Sequence, residues 1–99
     1  MIFTQTIEVD GADEQALEDH ITSWHTDQAG QAPGYLGARL RRDVDRPGRH
    51  VIGVDFSSPE HAEQNNSREA TNTWAEELRS MISGDPVYRN LQQVYVTPN

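Results

Sequence analysis

Residues 35–60 read YLGARLRRDVDRPGRHVIGVDFSSPE, and most of the architecture follows from them. Tyr35–Arg42 and Arg49–Phe56 mix β-branched, aromatic and aliphatic residues with polar ones, as strands do. Between them, Asp43-Val44-Asp45-Arg46-Pro47-Gly48 places Pro-Gly at the centre of a type II turn, so the pair reads as a β-hairpin. Ser57-Ser58-Pro59-Glu60 then combines a capping box with Pro at the first helical position and starts a helix.

Upstream, Met1–Val9 reads as a strand that Asp10-Gly11 ends. Asp13 caps a helix in which Ala16, Leu17, Ile21, Trp24 and Gln28 recur at helical spacing. Acids crowd its first turns, where the helix dipole favours them, and Gly30 suits the position after its end. Ala32-Pro33-Gly34 turns into the hairpin. Downstream, Asn66-Ser67-Arg68-Glu69 repeats an N-cap signal, so the second helical region breaks near Asn65–Ser67 and restarts. Ala70, Trp74, Leu78, Met81 and Ile82 form the apolar stripe of the restarted helix. Ser83-Gly84-Asp85-Pro86 ends it, and Val87–Val96 is the expected last strand. The order β-α-β-β-α-β over residues 1–99, as one domain, predicts a ferredoxin-like α+β sandwich with the helices on one face of a four-stranded antiparallel sheet.

Composition excludes whole classes of function. The chain has no Cys, so disulfide scaffolds, thiolate metal sites, Cys nucleophiles and iron–sulfur clusters are ruled out. Sixteen acids against eight basic residues give a formal charge of -8, which repels a phosphate backbone, so no nucleic-acid partner is expected. Five of the arginines (Arg39, Arg41, Arg42, Arg46, Arg49) cluster around the hairpin, but Asp43 and Asp45 sit among them, as at a solvated hairpin end. The longest aliphatic run is Val51-Ile52-Gly53-Val54, far short of a membrane span or a signal-peptide core, so a cytoplasmic protein is expected. No His spacing suits a metal.

Both parities of the strands carry apolar groups. Ile52, Val54 and Phe56 point one way and Val51 and Gly53 the other. Ile2 opposes Phe3, Ile7 and Val9, and Val87, Leu91 and Tyr95 oppose Tyr88, Val94 and Val96. Two helices cover one face only, so a second copy of the chain is expected on the other, as a homodimer. With a tight hairpin, positions summing to 91 pair, which sets Ala38 opposite Gly53. Leu36, Leu40, Val51 and Asp55 then share their face. The two small residues would leave a hollow, either for close helix packing or as the floor of a ligand pocket. His50 and Arg39 fall on the opposite parity with Tyr35, Ile52 and Phe56.

Gly34-Tyr35-Leu36-Gly37, Leu40-Arg41-Arg42-Asp43, the Asp45–Arg49 turn, the Val-rich strand ending at Phe56 and the Ser58-Pro59-Glu60 helix start together resemble the antibiotic-biosynthesis-monooxygenase family of the dimeric α+β barrel superfamily. Members carry an acid-x-aromatic pattern where this chain has Val54-Asp55-Phe56, and a His or Asn in the following helix, where Asn65 lies. The resemblance implies a dimeric barrel in which a cavity between sheet and helices oxidises an aromatic or quinone-type metabolite with O₂, without metal, flavin or other cofactor. Related haem-degrading members set an Asn, a Trp and a His around haem. Here Phe3-Thr4-Gln5-Thr6 has no Asn, while Asn65 and Trp74 fall near the Trp and His positions, so the pattern departs from haem chemistry.

Oxidation of this kind needs an amide or Arg to hold oxygen atoms, aromatics to sandwich the ring, and a base. On that reading Asn65, His20 and Trp74 are the candidate catalytic residues, with His20 as base. Trp24, Leu36, Ala38, Gly53, Asp55 and Asn66 are the candidate ligand-binding residues. The alternative is a non-catalytic barrel that binds a small ligand or serves as an accessory subunit.

Overall fold

The computed structural model describes all 99 residues. The elements run β1 (Phe3–Asp10), α1 (Glu14–Gln28), β2 (Tyr35–Arg42), β3 (Arg49–Phe56), α2 (Pro59–Asn66), α3 (Glu69–Met81) and β4 (Ser83–Gln92). The sheet is antiparallel in the order β2-β3-β1-β4, the ferredoxin-like α+β arrangement, with its second helix split in two. No helix is long and apolar enough to cross a membrane.

Local chemistry accounts for the helix ends. Asp13 accepts a hydrogen bond from the Ala16 amide at 3.0 Å, which satisfies one of the free N–H groups of the first turn of α1. Gly30, one residue beyond the C-cap, takes φ +84°. The cap of α2 is Ser58, whose hydroxyl accepts from the His61 amide at 3.2 Å, so Glu60 closes no capping box. The break falls where expected, but α3 starts on Arg68 with no side-chain cap, and Asn66 is still inside α2.

The core lies where Leu17 of α1 and Leu78 of α3 meet Ile7, Val9 and Ile52 of the central strands. Cross-strand pairs Ile7↔Ile52 and Val9↔His50 put all of these on the helix-facing side.

Two expectations about the sheet fail, and one physical cause serves each. In the hairpin, Tyr35 pairs with Phe56, but Gly37 pairs with Asp55, so β2 carries a bulge at Leu36. From Arg42↔His50 at the turn to Gly37↔Asp55 every pair is offset by one from the expected register, so the slip is set at the turn and the bulge restores the expected pairing at Tyr35. Ala38 therefore pairs with Val54 on the helix face, and Gly53 pairs with Arg39 on the open face. No Ala38–Gly53 hollow exists: the Arg39 side chain crosses Gly53, its Cγ 3.6 Å from where a Cβ would stand. At the end of the chain, β4 begins at Ser83, not Val87. Pro86, which has no N–H to give, falls in the irregularity between the Asp10↔Ser83 and Glu8↔Val87 pairs. The strand ends at Gln92, so Val94, Tyr95 and Val96 lie beyond it, 83%, 64% and 60% exposed.

The open face is consequently mixed, not oily. Val51, Val87 and Leu91 share it with Thr4, Thr6, Glu8, Arg39, Arg41, Asp55 and Arg89. Asp55 is buried there because Arg39 ion-pairs with it and the Thr4 hydroxyl donates to its Oδ1 at 2.6 Å. Arg89 pairs with Glu8 at 3.3 Å.

At the far end of the sheet, Glu14, the first residue of α1, accepts two bonds from Arg42, each 2.7 Å, and one from buried His50 at 2.8 Å. Arg42 first, then His50, hold the Glu14 carboxyl down from 4.5 to about 2. A depressed carboxylate pKa contributes stability that is complete above the unfolded-state value and is lost as pH falls through the folded one. Wild type should therefore lose urea resistance more steeply than Glu14→Gln between pH 4.5 and about 2. Equal slopes in that window would show that the clamp does not act on folding.

Candidate functional site

A cavity of about 310 Å³ lies between the sheet and the helices, within the range of small-molecule sites. Its floor comes from alternate, helix-facing strand positions: Gln5 and Ile7 of β1, Ala38 of β2, Ile52 and Val54 of β3, and Tyr88 of β4. Its roof comes from Ile21 and Trp24 of α1, Asn65 and Asn66 of α2, and Thr71, Asn72, Trp74, Ala75 and Arg79 of α3.

Asn65 is 4% exposed and polar, a combination that costs free energy unless hydrogen-bonded. The Thr71 hydroxyl, six residues on, donates to its Oδ1 at 3.1 Å. That bond spans the helix break and fixes the amide against the cavity, with its Nδ2 unbonded within the chain. The second helical region breaks at this point, so the loop between its halves sets the amide's position.

Trp74 and His20 bind each other reciprocally. The Trp74 indole N–H donates to the His20 carbonyl at 3.1 Å, and the His20 Nε2–H donates to the Trp74 carbonyl at 3.0 Å. The rings stack 4.7 Å apart at 9°. Trp74 thus presents a carbon face to the cavity, its one donor already used. His20 lies on the far side of Trp74, in a shallow cleft between α1 and α3 with Asp27, Glu69 and Glu77, and is not on the cavity wall. The stripe reading failed for His20 because it sits at the edge of the inner face of α1, where the neighbouring helix captures the ring.

Trp24 stands at the other end of the roof, edge-on to Tyr35 at 4.9 Å. Tyr35 also packs on Phe56 and bonds His25 Nδ1 through its hydroxyl at 2.6 Å. Burial pushes the Tyr35 phenol above its usual value, so it stays neutral. The Trp24 indole N–H is buried with no partner in the chain, a state that costs about 1–3 kcal/mol for a neutral donor.

Of the residues expected from sequence, Asn65, Asn66, Trp24, Trp74 and Ala38 stand on the cavity wall. Gly53 and Asp55 do not, because β3 turns Ile52 and Val54 to the helices and so Gly53 and Asp55 to the open face, and Leu36 is the exposed bulge residue of β2. Five wall residues with polar groups were missed: Tyr88 of β4, and four others whose places the sequence pattern marks. Gln5 is the polar interruption in the Phe3, Ile7, Val9 parity of β1. Thr71 and Arg79 flank Ala75 at steps of four on α3, and Asn72 lies beside Thr71.

No family model matches the sequence, and no curated protein matches it either. Solved structures do match in shape over nearly the whole chain. SnoaB, a cofactor-independent oxygenase from Streptomyces nogalater, superposes with a TM-score of 0.75 at 11% identity, covering 99% of this chain and 97% of its own. A protein from Deinococcus radiodurans named as an antibiotic biosynthesis monooxygenase gives 0.75 at 13% identity over 100% and 98%. Rv0793 from Mycobacterium tuberculosis gives 0.75 at 10% identity over 99% and 100%.

The fold is that of the antibiotic biosynthesis monooxygenases. On that monooxygenase fold, the cavity of this chain has an unusual lining for a protein with sixteen acids. No Asp, Glu or His stands on its wall; Arg79 and Tyr88 are its titratable residues. Amides and hydroxyls supply the remaining polarity. Such a wall can hold a planar apolar ring and hydrogen-bond its oxygen atoms, and it favours an anionic form of what it holds.

Proposed function

We propose that this chain is a small monooxygenase that oxidises an aromatic or quinone-type metabolite with O₂, without a cofactor, in the cavity beneath the helices. The supporting observation is the cavity itself. The aromatic walls Trp24 and Trp74 face a floor of Ile7, Ile52 and Val54, and the Asn65 amide is set among them. In such a reaction the substrate is the reductant. An anthrone-type CH₂ loses two hydrogens and becomes C=O, one atom of O₂ entering the product and the other leaving as water. The protein's part is to orient the ring, exclude water, and stabilise the enolate oxygen that forms when the substrate gives up its proton. Asn65 is the donor proposed for that oxygen, and Trp74 the stacking wall.

The lining also favours a second reading. With no carboxylate or imidazole on the wall, a base is missing, and a binding or accessory protein needs none. Oxygen uptake with a panel of polycyclic hydroquinones and anthrones separates the two readings. Turnover by wild type is expected, with Asn65→Ala about 100-fold slower, as for loss of one oxyanion donor, and Trp74→Phe raising KM. Ring binding without oxygen uptake by any panel member would leave the binder.

The unit that acts is proposed to be a homodimer, its open sheet faces together. That arrangement would cover Val51, Val87 and Leu91 and would bring the Arg39–Asp55 pairs of the two copies into one interface. Light scattering should return twice the 11.2 kDa of one chain; a single-chain mass at every concentration would defeat the arrangement.

A further inference from the structure

Four arginines are ion-paired: Arg39 with Asp55, Arg42 with Glu14, Arg49 with Asp10 and Arg89 with Glu8. Among those with no carboxylate partner, Arg79 alone stands on the cavity wall. It lies in the last turn of α3, four residues after Ala75 and eight after Thr71, so it shares their cavity-facing side and reaches the rim. Glu76 and Glu77 are its neighbours in sequence, yet neither pairs with it. Across the cavity on β4, Tyr88 is 41% exposed, and its hydroxyl makes no hydrogen bond within the chain. In a chain of net charge -8, a wall free of carboxylates and holding one unpaired guanidinium is a local reversal of sign. A guanidinium without a partner at the mouth of an apolar cavity offers paired N–H donors to a planar anion, and the phenol opposite adds a third donor.

We infer that the ligand of this cavity is an aromatic ring system bearing an anionic substituent, a carboxylate in the simplest case, and that Arg79 selects for that charge. This rests on the reading of the cavity as an aromatic-ligand site and adds the substituent that such a ligand carries. The ring lies over Ile52 and Val54 against Trp74, while the anionic group stays at the rim, where Arg79 meets it and water still solvates its far side. Keeping the charge at the rim avoids burying it among hydrocarbon. It also orients the ring, since the substituent can be satisfied at one end of the cavity only.

The test uses two probes of matched shape, 9-anthracenecarboxylate and neutral 9-anthracenemethanol, titrated into the full-length protein and read by tryptophan quenching. Wild type should bind the carboxylate about tenfold more tightly than the alcohol, and added salt should narrow the gap. Arg79→Gln should bind both probes equally, with its affinity for the alcohol unchanged, and Arg79→Lys should keep part of the preference. An unchanged thermal midpoint for Arg79→Gln would show that any loss is not unfolding; if that variant is unstable, Arg79→Lys and the salt series decide. Equal binding of both probes by wild type, or a preference that survives in Arg79→Gln, overturns the charge assignment and leaves the aromatic site standing. Failure of wild type to bind either probe overturns both.

Discussion

Leu78→Ala should lower the unfolding free energy by about 3–4 kcal/mol, the usual range for truncating a fully buried leucine. The side chain is completely buried, and it is the member of the core cluster that α3 contributes beside Ile7, Val9, Leu17 and Ile52, with Trp74 and Met81 of the same helix packed around it. A domain of this length has about 5–15 kcal/mol in total, so a large share would go with one residue. The cavity would be affected as well, because α3 carries Thr71, Asn72, Trp74, Ala75 and Arg79 of its roof. Urea unfolding should show a lower midpoint at unchanged m-value. Leu78→Met, which conserves volume, should cost less than about 1.5 kcal/mol. A loss under about 1 kcal/mol for the alanine variant would mean that the site collapses easily and that α3 is anchored elsewhere.

Gly34→Ala is expected to have the next largest effect, through two separate costs. Gly34 has φ +68°, where an alanine is strained by about 1–2 kcal/mol. Its new Cβ would also stand 2.3 Å from His61 Cγ and 2.6 Å from His61 Cβ, too close for the ring to remain in place. His61 has little room to yield, since its Nδ1 lies 2.8 and 2.9 Å from the hydroxyls of Ser57 and Ser58 at the start of α2. The overpacking adds about 1–3 kcal/mol. Because the Gly34 carbonyl also accepts from the Ser57 amide at 2.9 Å, the strain passes directly into α2 and so to Asn65. Gly30→Ala provides the control. Gly30 has φ +84° but nothing near its missing Cβ, so it carries the backbone cost alone. Calorimetry of the two variants should place Gly34→Ala clearly below Gly30→Ala in thermal midpoint. Equal midpoints would mean that the close approach of α2 to Gly34 is no constraint.

Gly34 also illustrates how far a linear reading reaches. Ala32-Pro33-Gly34 is legible as a turn because its chemistry is local, whereas the histidine that fills the space above Gly34 comes from another element. The same division runs through the candidate site. Asn65, Trp24, Trp74 and Ala38 could be chosen from stripes and parity. Gly53 and Asp55 were assigned to the pocket through a hairpin register one residue away from the one the turn sets, which paired Gly53 with Ala38 instead of Arg39. A one-residue offset at the turn leaves no mark in a strand pattern whose period is two, since both registers look equally regular. His20 was misplaced for a related reason. Helical spacing gives the angle of a side chain but not which neighbour engages it, and the Trp74 carbonyl engages this one.

The order of elements, the hairpin boundaries, the caps at Asp13 and Ser58 and the interruption of the second helical region were determined by the sequence alone, because each depends on residues a few positions apart. Tertiary structure alone decided the sheet register, the pairing of Arg39 with Asp55 across Gly53, the clasp of His20 and Trp74, and the place of Arg79, without an ion pair, on the cavity wall. Those depend on groups brought together from distant parts of the chain, where shape and the need to satisfy buried polar atoms decide which groups meet.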